Sequence, residues 1–361
     1  MNPPVQETMA DHGTENIRQA RSDIVQRHFP GGIPKLWCPA LTHFSRQGCL
    51  DEVRTRYHWQ HISPYVKGVL VPGSTGEGWE MTDDDIRRLL ETVLDIGQEM
   101  NMRMLIGVLK TDLASMLECI DTTLAFLRHR TGASAADEAL LRSNVAGFTV
   151  CPPKGSQLSQ SALADALTAV ADRGVPLAFY QLPQVTGNEL AAETIQTLAA
   201  RIPGFYLFKD TSGNDHVARS SLDLHGIFLV RGAEGDYHRW LTNADGPYNG
   251  FLLSSSNVFA EQLTAIRSMQ DEGQAHAAAA LSKRIGKVIE ECFRLVKGFP
   301  AGNAFANANK VLDHIMAFGE ECLHRDPPLL YSGVRLPVEF IEHAAGLLRQ
   351  EELFPARGYI A

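Results

Sequence analysis

The stretch GFYLFKDTSGN, residues 204–214, lies near the middle of the chain and carries its strongest signal for fold and chemistry. An apolar run at 205–208 leads directly into Lys209, and the polar turn 211–213 follows. An apolar run that is bounded by turn residues predicts a buried strand. Burial at the end of such a strand would lower the pKa of the Lys209 ammonium and free its amine for attack on a carbonyl. A solvated lysine at a strand end is the commoner case, so the rest of the chain must decide between the two.

Length and composition indicate one large domain, or one domain with an appendage. The chain has 361 residues, of which 44% are hydrophobic, and this is enough for a sizeable core. A net charge of -9 and a pI near 5.8 argue against a nucleic acid or an anionic membrane as partner. They do not exclude a small anionic substrate, because the binding of such a substrate depends on the local charge of its site.

The cysteines and the N-terminus bear on the cellular compartment. Six cysteines are scattered without a CxxC pair or a zinc-site spacing, which is typical of free thiols in a reducing environment. No apolar run reaches the length of a membrane span, and the N-terminus lacks the plan of a signal peptide. We therefore expect a soluble cytoplasmic protein.

Eight short apolar runs, each of strand length, recur along the chain and have helical patterns between them. One of these patterns begins at Thr82, a capping residue followed by three acids that suit the start of a helix. Similar patterns cover 113–127, 160–171 and 189–200. The eight predicted strands are 35–41, 66–71, 104–109, 146–151, 176–180, 204–209, 227–231 and 250–254.

Strands that alternate with helices predict a parallel sheet, and eight such units in about 220 residues predict a closed (β/α)8 barrel, or TIM barrel. An open doubly wound sheet is the alternative, but no GxGxxG follows the first strand. We divide the chain into an N-terminal extension with a short helix from Thr14 to His28 (1–32), the barrel (33–257) and a C-terminal helical appendage of about three helices (258–361). Residues 1–13 are predicted to be mobile, and 128–144 form a polar insertion.

The active site of such a barrel lies at the carboxyl ends of its strands. Gly73, Ser74 and Thr75 follow the second strand, Tyr180 ends the fifth, and Lys209 ends the sixth. The glycine turn can hold a carboxylate on its backbone N–H groups, and the phenol can relay protons beside an imine. Considered alone, the glycine turn could be an ordinary strand-to-helix connection, and Tyr180 could be an ordinary core residue.

Three motifs, in order and spacing, resemble the dihydrodipicolinate synthase / N-acetylneuraminate lyase superfamily. They are GSTGE at 73–77, FYQLPQVTG at 179–187 and FKDTSGN at 208–214. The resemblance extends over roughly residues 33–300. It implies a class I, metal-independent lyase that acts on pyruvate or another 2-oxo acid through an imine and needs no separate cofactor.

The resemblance also assigns roles to residues. It makes Lys209 the Schiff-base lysine and Tyr180 the proton-relay tyrosine. Ser74 and Thr75, with Gly73 beside them, occupy the positions that hold the carboxylate of the 2-oxo acid. A protonated imine is an electron sink, so it can stabilise the enamine that C–C cleavage leaves behind. Members of the family usually form homo-oligomers, so a tetramer or dimer is expected.

Two departures from the family pattern argue against lysine biosynthesis. An arginine that grips a second carboxylate in the lysine-pathway enzymes is replaced by Val185. A tyrosine pair after the fourth strand is replaced by residues 151–154, CPPK. The proton relay would then run through Ser74, Tyr180 or a water.

Specificity can come from other polar groups at the strand ends. Lys110 and Lys154 follow the third and fourth strands and could bind a distal anionic group, although a solvated lysine is the commoner case. A polyhydroxylated substrate could be bound by residues after the first, seventh and eighth strands: His43, Glu234, Asp236, Ser254, Ser255 and Ser256. For each serine a loop hydroxyl facing water is the simpler interpretation. His238 and Trp240 are interpreted as helix-surface and packing residues.

The sequence therefore predicts a class I aldolase or lyase for a 2-oxo acid, with pyruvate as the released or donor fragment. A dehydratase of a 2-keto-3-deoxy sugar acid would use the same imine. A hydratase-aldolase for an aromatic 2-oxo acid is a third possibility. A binding protein on a barrel that has lost turnover is the rival from another class, and the presence of Lys209, Tyr180, Ser74 and Thr75 together argues against it.

Overall fold

Eight parallel strands close into a barrel in chain order, and β8 pairs with β1. The computed structural model describes the backbone of residues 6–360 and the side chains of residues 15–360. The predicted (β/α)8 fold is confirmed, and no strand extends more than one residue beyond its predicted run. The strands are β1 Leu36–Pro39, β2 Gly68–Val71, β3 Arg103–Val108, β4 Val145–Val150, β5 Leu177–Gln181, β6 Phe205–Asp210, β7 Phe228–Arg231 and β8 Gly250–Leu252.

Helices surround most of the barrel, and side-chain caps fix where several of them begin. Thr82, Asp112 and Ser159 each accept a hydrogen bond from a backbone N–H of the first turn. The helices up to β6 are α1 Gln6–His28, α2 Glu52–Ile62, α3 Asp83–Glu99, α4 Leu113–Thr131, α5 Ala136–Arg142, α6 Gln160–Ala171, α7 Pro183–Thr186 and α8 Ala192–Ala199.

The predicted alternation of strand and helix is wrong after β6 and β7. Residues 211–227 contain no helix, and only two short 3-10 helices, Tyr237–Arg239 and Thr242–Ala244, lie between β7 and β8. The segment after β6 is rich in Ser, Asn, Asp and Gly, which favour turns over helices. Buried polar contacts hold it instead, since Asp215 accepts hydrogen bonds from Tyr248 and Arg231 at 2.7 and 3.0 Å.

The N-terminal helix covers the amino end of the barrel. It begins at Gln6 rather than at Thr14, and residues 1–5 of the segment predicted to be mobile lie outside the described part of the chain. Arg21 is buried and donates to the carbonyls of Ala199, Ile202, Phe205 and His225. Just beyond the helix, the ring of Phe29 lies 5.9 Å from that of Trp37 and 5.7 Å from that of Tyr206.

The predicted polar insertion at 128–144 is largely helical. Its first residues complete α4, which ends at Thr131 and is capped by Gly132, whose φ of 67° suits glycine. The rest forms α5, whose Asp137 accepts hydrogen bonds from Arg27 at 2.7 Å and from His28 at 3.1 Å. The insertion and the N-terminal helix are therefore tied to each other.

The C-terminal region supplies α9, which packs on β1 as the eighth barrel helix, and three further helices. The predicted breaks at 298–300 and 326–328 do fall between helices. The predicted division at residue 257 falls within α9, so we propose that the appendage begins after this helix. Of the described helices, none is long and apolar enough to cross a membrane. The C-terminal helices are α9 Ser256–Asp271, α10 Ala275–Val296, α11 Ala304–Phe318 and α12 Val338–Gln350, with a 3-10 helix at Gly319–His324.

Candidate active site

Lys209 lies in β6, opposite Tyr180 of the neighbouring strand β5. Its side chain is only 4% exposed, and its Nζ lies 3.9 Å from the centre of the Tyr180 ring. Burial lowers the pKa of Lys209 to about 7, against the opposing effects of Cys151, Glu234 and Cys38. At neutral pH a large fraction of the amine is therefore unprotonated, as a nucleophile toward a carbonyl requires.

Tyr180 is a buried phenol beside this amine. Desolvation raises its pKa above the ordinary value, nearby Cys151 adds to the effect, and the hydroxyls of Thr211 and Ser74 partly counter it. The Thr211 Oγ1 is buried beside this phenol. A neutral phenol with two hydroxyls around it can pass a proton to and from a substrate atom above Lys209.

The turn 73–77 after β2 supplies groups for an anion. The N–H groups of Gly76 and Gly78 donate to Gly73 O, each at 3.1 Å, whereas the N–H groups of Ser74 and Thr75 have no partner among residues 6–360. The Ser74 Oγ accepts a hydrogen bond of 2.8 Å from Trp79 Nε1. Two free N–H groups on a tight turn suit a carboxylate.

The C-terminal appendage holds this turn from behind. Asn303 caps α11 and also donates its Nδ2 to Ser74 O at 3.0 Å. Lys310 of α11 forms a buried ion pair with Glu77, whose carboxylate also accepts from the N–H of Tyr331 at 2.9 Å. The Glu77 backbone has a φ of 63°, and these contacts help to keep it in that uncommon conformation.

Gly232, directly after β7, leaves space for the lysine. A Cβ at this position would lie 2.9 Å from Lys209 Cε and 2.2 Å from Thr211 Oγ1. Any side chain at Gly232 would therefore displace the two groups that face Tyr180.

Polar contacts behind Lys209 fix the end of β6. The Asp210 Oδ1 accepts from Gln181 Nε2 at 3.3 Å and from Ser212 N at 2.9 Å, and Tyr248 lies at the limit of a hydrogen bond, 3.5 Å from Oδ2. Gln181 in turn accepts from Leu190 N at 2.8 Å. These bonds hold the backbone on both sides of the Lys209–Tyr180 pair.

An apolar wall stands next to Tyr180. Cys151 and Leu182 are fully buried beside Tyr180, and three partly exposed side chains pack on this cluster: Trp79, Val185 and Phe305. Phe305 comes from α11, and its ring also contacts Phe293 of α10 at 5.6 Å. This wall includes Val185, the position at which the lysine-pathway pattern has an arginine.

Ser254 and Ser255 gather around Glu234. The two serine hydroxyls each donate to the Glu234 carboxylate at 2.6 Å, and Tyr237 donates to it at 2.9 Å. Glu234 acts electrostatically on Lys209 and also lines a groove of about 1030 Å³ that runs along α10. The Ser256 hydroxyl is buried without a partner in the described residues.

Three of the other predicted site residues, Asp236, His238 and Trp240, line the same groove as Glu234, and the rest have other surroundings. Lys110 pairs with Asp83 of α3 at 2.5 Å, and its charge lowers the pKa of Cys119 of α4. These two contacts place Lys110 on the outer side of the barrel, between α3 and α4. Lys154 is exposed. His43 is buried next to His58, Asp236 pairs with Arg239, and Trp240 packs under Arg231. His238 contacts Ser282 of α10.

The sequence interpretation did not single out Trp79, Thr211, Phe305, Asn303 or Lys310. Thr211 could have been found, because it follows Lys209 at the alternating position of the same motif. Phe305, Asn303 and Lys310 could not, because they reach the site from a helix far along the chain. No group of three or more potential metal ligands lies together among the described residues.

Comparison with known proteins identifies the family. Residues 34–302 match the model of the dihydrodipicolinate synthetase family. The 4-hydroxy-tetrahydrodipicolinate synthase of Exiguobacterium sibiricum is 29% identical over 175 residues, which cover 48% of this chain and about half, 53%, of that relative. The N-acetylneuraminate lyase of Escherichia coli is 26% identical over 258 residues, which cover 69% of this chain and 78% of the lyase.

Among solved structures, the prophage protein YagE of E. coli K12, a member of the dihydrodipicolinic acid synthase family in complex with pyruvate, has the same fold. It superposes with a TM-score of 0.69 and 20% identity, and the match covers 89% of this chain and 99% of YagE. The chain thus belongs to the dihydrodipicolinate synthetase family, a family of class I aldolases and lyases that work through a covalent lysine–pyruvate Schiff base without an external cofactor.

Proposed function

We propose that this protein is a lyase in which Lys209 forms the imine with a 2-oxo acid, pyruvate being the donor or released fragment. The observation that carries the proposal is a buried lysine with a pKa near 7 and its Nζ 3.9 Å from the ring centre of Tyr180. The free N–H groups of Ser74 and Thr75 hold the carboxylate, and Tyr180 moves the protons that imine formation and C–C cleavage release and take up.

Each step has a group at hand. The Lys209 amine attacks C2 of the 2-oxo acid, and loss of water from the resulting carbinolamine gives the protonated imine. Cleavage of the C3–C4 bond leaves its electron pair on the enamine, and the C4 oxygen gives up its proton as the aldehyde forms. Protonation of the enamine at C3 and hydrolysis then release pyruvate and restore the amine.

Borohydride trapping tests the imine. Reduction in the presence of pyruvate should add the mass of the reduced pyruvyl group to one peptide, the one that carries Lys209. The Lys209→Met variant should remain unmodified, and Lys154→Met, which removes an exposed lysine, should be trapped like the wild type. Failure to trap pyruvate or any of a panel of 2-oxo acids would overturn the proposal and favour a binding protein.

We further propose that the aldehyde half of the substrate is apolar and that lysine biosynthesis is not the function. Trp79, Val185 and Phe305 offer a partly exposed apolar wall beside Tyr180, where the family pattern places an arginine for a carboxylate. Burying a phenyl group on such a wall stabilises the complex by about 2 kcal/mol, or about 30-fold in kcat/KM. This favours the aromatic alternative over the others.

Acceptor kinetics test this choice. With pyruvate fixed, benzaldehyde should react at least tenfold better than an aldehyde that bears a carboxylate, and Val185→Arg should reverse the order. Val185→Leu is the matched control, because it keeps the wall apolar. Equal rates for both aldehydes would refute the apolar subsite while leaving the imine proposal intact.

The dehydratase of a 2-keto-3-deoxy sugar acid remains the second candidate. The serines around Glu234 favour it, because their hydroxyls and the carboxylate can bind sugar hydroxyls. Release of water rather than an aldehyde from such a substrate, followed by a coupled assay for the dehydrated 2-oxo acid, would establish it.

We also propose that the protein is cytoplasmic and a homo-oligomer, a dimer or tetramer. The family resemblance supports the oligomer, although a relative of the same fold is described as a monomeric dihydrodipicolinate synthase variant. Light scattering at micromolar concentration distinguishes these states.

A further inference from the structure

The peptide group between Ser74 and Thr75 carries one of the two N–H groups assigned to the carboxylate of the 2-oxo acid. A trans peptide group is planar, so its C=O and its N–H point in opposite directions. The contacts that hold the Ser74 carbonyl therefore also set the direction of the Thr75 N–H. This N–H has no partner of its own among residues 6–360.

Two donors hold the Ser74 carbonyl oxygen. The Glu77 N–H donates to it at 3.1 Å from within the turn, and Asn303 Nδ2 donates to it at 3.0 Å from the start of α11. A carbonyl oxygen has two lone pairs, so both are used. Of the described residues, Asn303 is the only one outside the turn 73–77 that donates to this oxygen.

The start of α11 fixes the orientation of the Asn303 amide. Its Oδ1 accepts from Ala306 N at 3.0 Å and so caps the helix. Because the cap needs the oxygen of the amide, the NH2 group must face the turn. The same Nδ2 lies 3.2 Å from Glu80 Oε1, which accepts its second hydrogen. The amide is therefore held at three points.

The helix that carries Asn303 is a rigid support. Residues 306–317 of α11 are all buried, so the helix cannot shift without repacking its neighbours. The ion pair between Lys310 and Glu77 fixes α11 to the other end of the same turn. A donor on such an element can hold a binding group to the precision that recognition of a small anion requires.

We propose that Asn303 is a positioning residue for the carboxylate of the 2-oxo acid and acts through the Ser74–Thr75 peptide group. Its hydrogen bond fixes the direction of the Thr75 N–H and polarises the peptide group, which makes this N–H a stronger donor. The inference rests on the proposed function, because the carboxylate belongs to the substrate of Lys209. Asn303 does not reach C2, so it should govern binding of the carboxylate and not the chemistry at the imine.

Asn303→Ser separates the two tasks of this side chain. Serine keeps a good helix cap, but its single hydroxyl is one bond shorter and is occupied by the cap, so it leaves Ser74 O without its donor. The measurement is the rate of borohydride trapping as a function of pyruvate concentration. We expect the half-saturating concentration of pyruvate to rise about tenfold and the maximal rate to change by less than about twofold.

Acetone provides a readout that a purely structural role of Asn303 would not move. It has the methyl ketone of pyruvate but no carboxylate, so its attachment to Lys209 does not need the Thr75 N–H. Asn303→Ser should therefore be trapped by acetone at the wild-type rate, within about twofold. Asn303→Asp keeps the shape and the cap but places an oxygen where the NH2 was, and it should likewise lose affinity for pyruvate and not for acetone.

Asn101→Asp is the matched control. It makes the same change of amide to carboxylate at an exposed position just before β3, at the opposite end of the barrel, and should leave both ketones unaffected. An unchanged half-saturating concentration of pyruvate in both Asn303 variants would overturn the proposal, and so would an equal loss for pyruvate and acetone. Failure of the wild type to be trapped by pyruvate would instead refute the imine itself, so the two failures are distinguishable.

Discussion

Replacing Gly232 by alanine should impair imine formation while leaving the fold intact. The added methyl group would lie 2.9 Å from Lys209 Cε and 2.2 Å from Thr211 Oγ1, where ordinary contacts are about 3.5–4 Å. Both atoms belong to side chains that can move, and the nearest backbone atom, Asp210 O, is 3.3 Å away. Relief therefore comes from moving the lysine and the threonine rather than the barrel.

The magnitude follows from the size of that movement. Restoring contact distance shifts Lys209 Cε by about 1 Å, and a displacement of this size at a reacting group costs on the order of 100-fold in rate. Overpacking of the core should lower the free energy of unfolding by about 1–3 kcal/mol. The rate of attachment should thus fall far more than the stability.

The assay is the rate at which borohydride fixes pyruvate to the protein, read by intact mass. Gly346→Ala is the control, because α12 leaves open space around that glycine. It should be trapped at the wild-type rate and gain about 0.5–1 kcal/mol of stability. If Gly232→Ala is trapped as fast as the wild type, Gly232 does not provide the space that Lys209 needs.

Three further predictions concern buried charges. Because the pKa of Lys209 is about 7, the trapping rate should rise about tenfold per pH unit below pH 7 and level off above it, and a rate that still climbs through pH 9 would indicate an ordinary lysine. Arg21→Ala should lower the free energy of unfolding in urea by about 2–4 kcal/mol, since four carbonyls lose their donor, whereas Arg18→Ala on the same helix should change it by under 1 kcal/mol. Equal effects would contradict the role of Arg21. Lys310→Met should cost about 3–5 kcal/mol because Glu77 is left buried without its partner, and adding Glu77→Gln should restore most of it, so additive losses would refute the coupling.

The sequence reveals the strand-borne part of the site because parallel strands share one carboxyl edge. Ser74, Tyr180 and Lys209 each end or follow an apolar run, and the barrel therefore places them together. The absence of a helix after β6 is harder to predict. This polar segment is stabilised by the hydrogen bonds that Asp215 accepts, and the local sequence pattern does not show them.

Groups from the appendage were beyond sequence reasoning. Lys310 reads as an ordinary helix lysine, and only the fold shows that it is 2% exposed and paired with Glu77. Phe305 likewise shows no sign in the sequence of its position beside Tyr180. Long-range packing decides both, and local pattern carries no information about it.

The hold of α11 on the GSTGE turn has a consequence for synthesis on the ribosome. The partners of Glu77 are synthesised much later than Glu77 itself: Lys310 follows it by 233 residues and Tyr331 by 254 residues. A nascent chain whose eight strands have all emerged still lacks these partners and the Phe305 wall. The predicted site around Lys209 thus gains these groups only after residue 331 has been synthesised, so a chain that terminates before that point would carry the lysine without them.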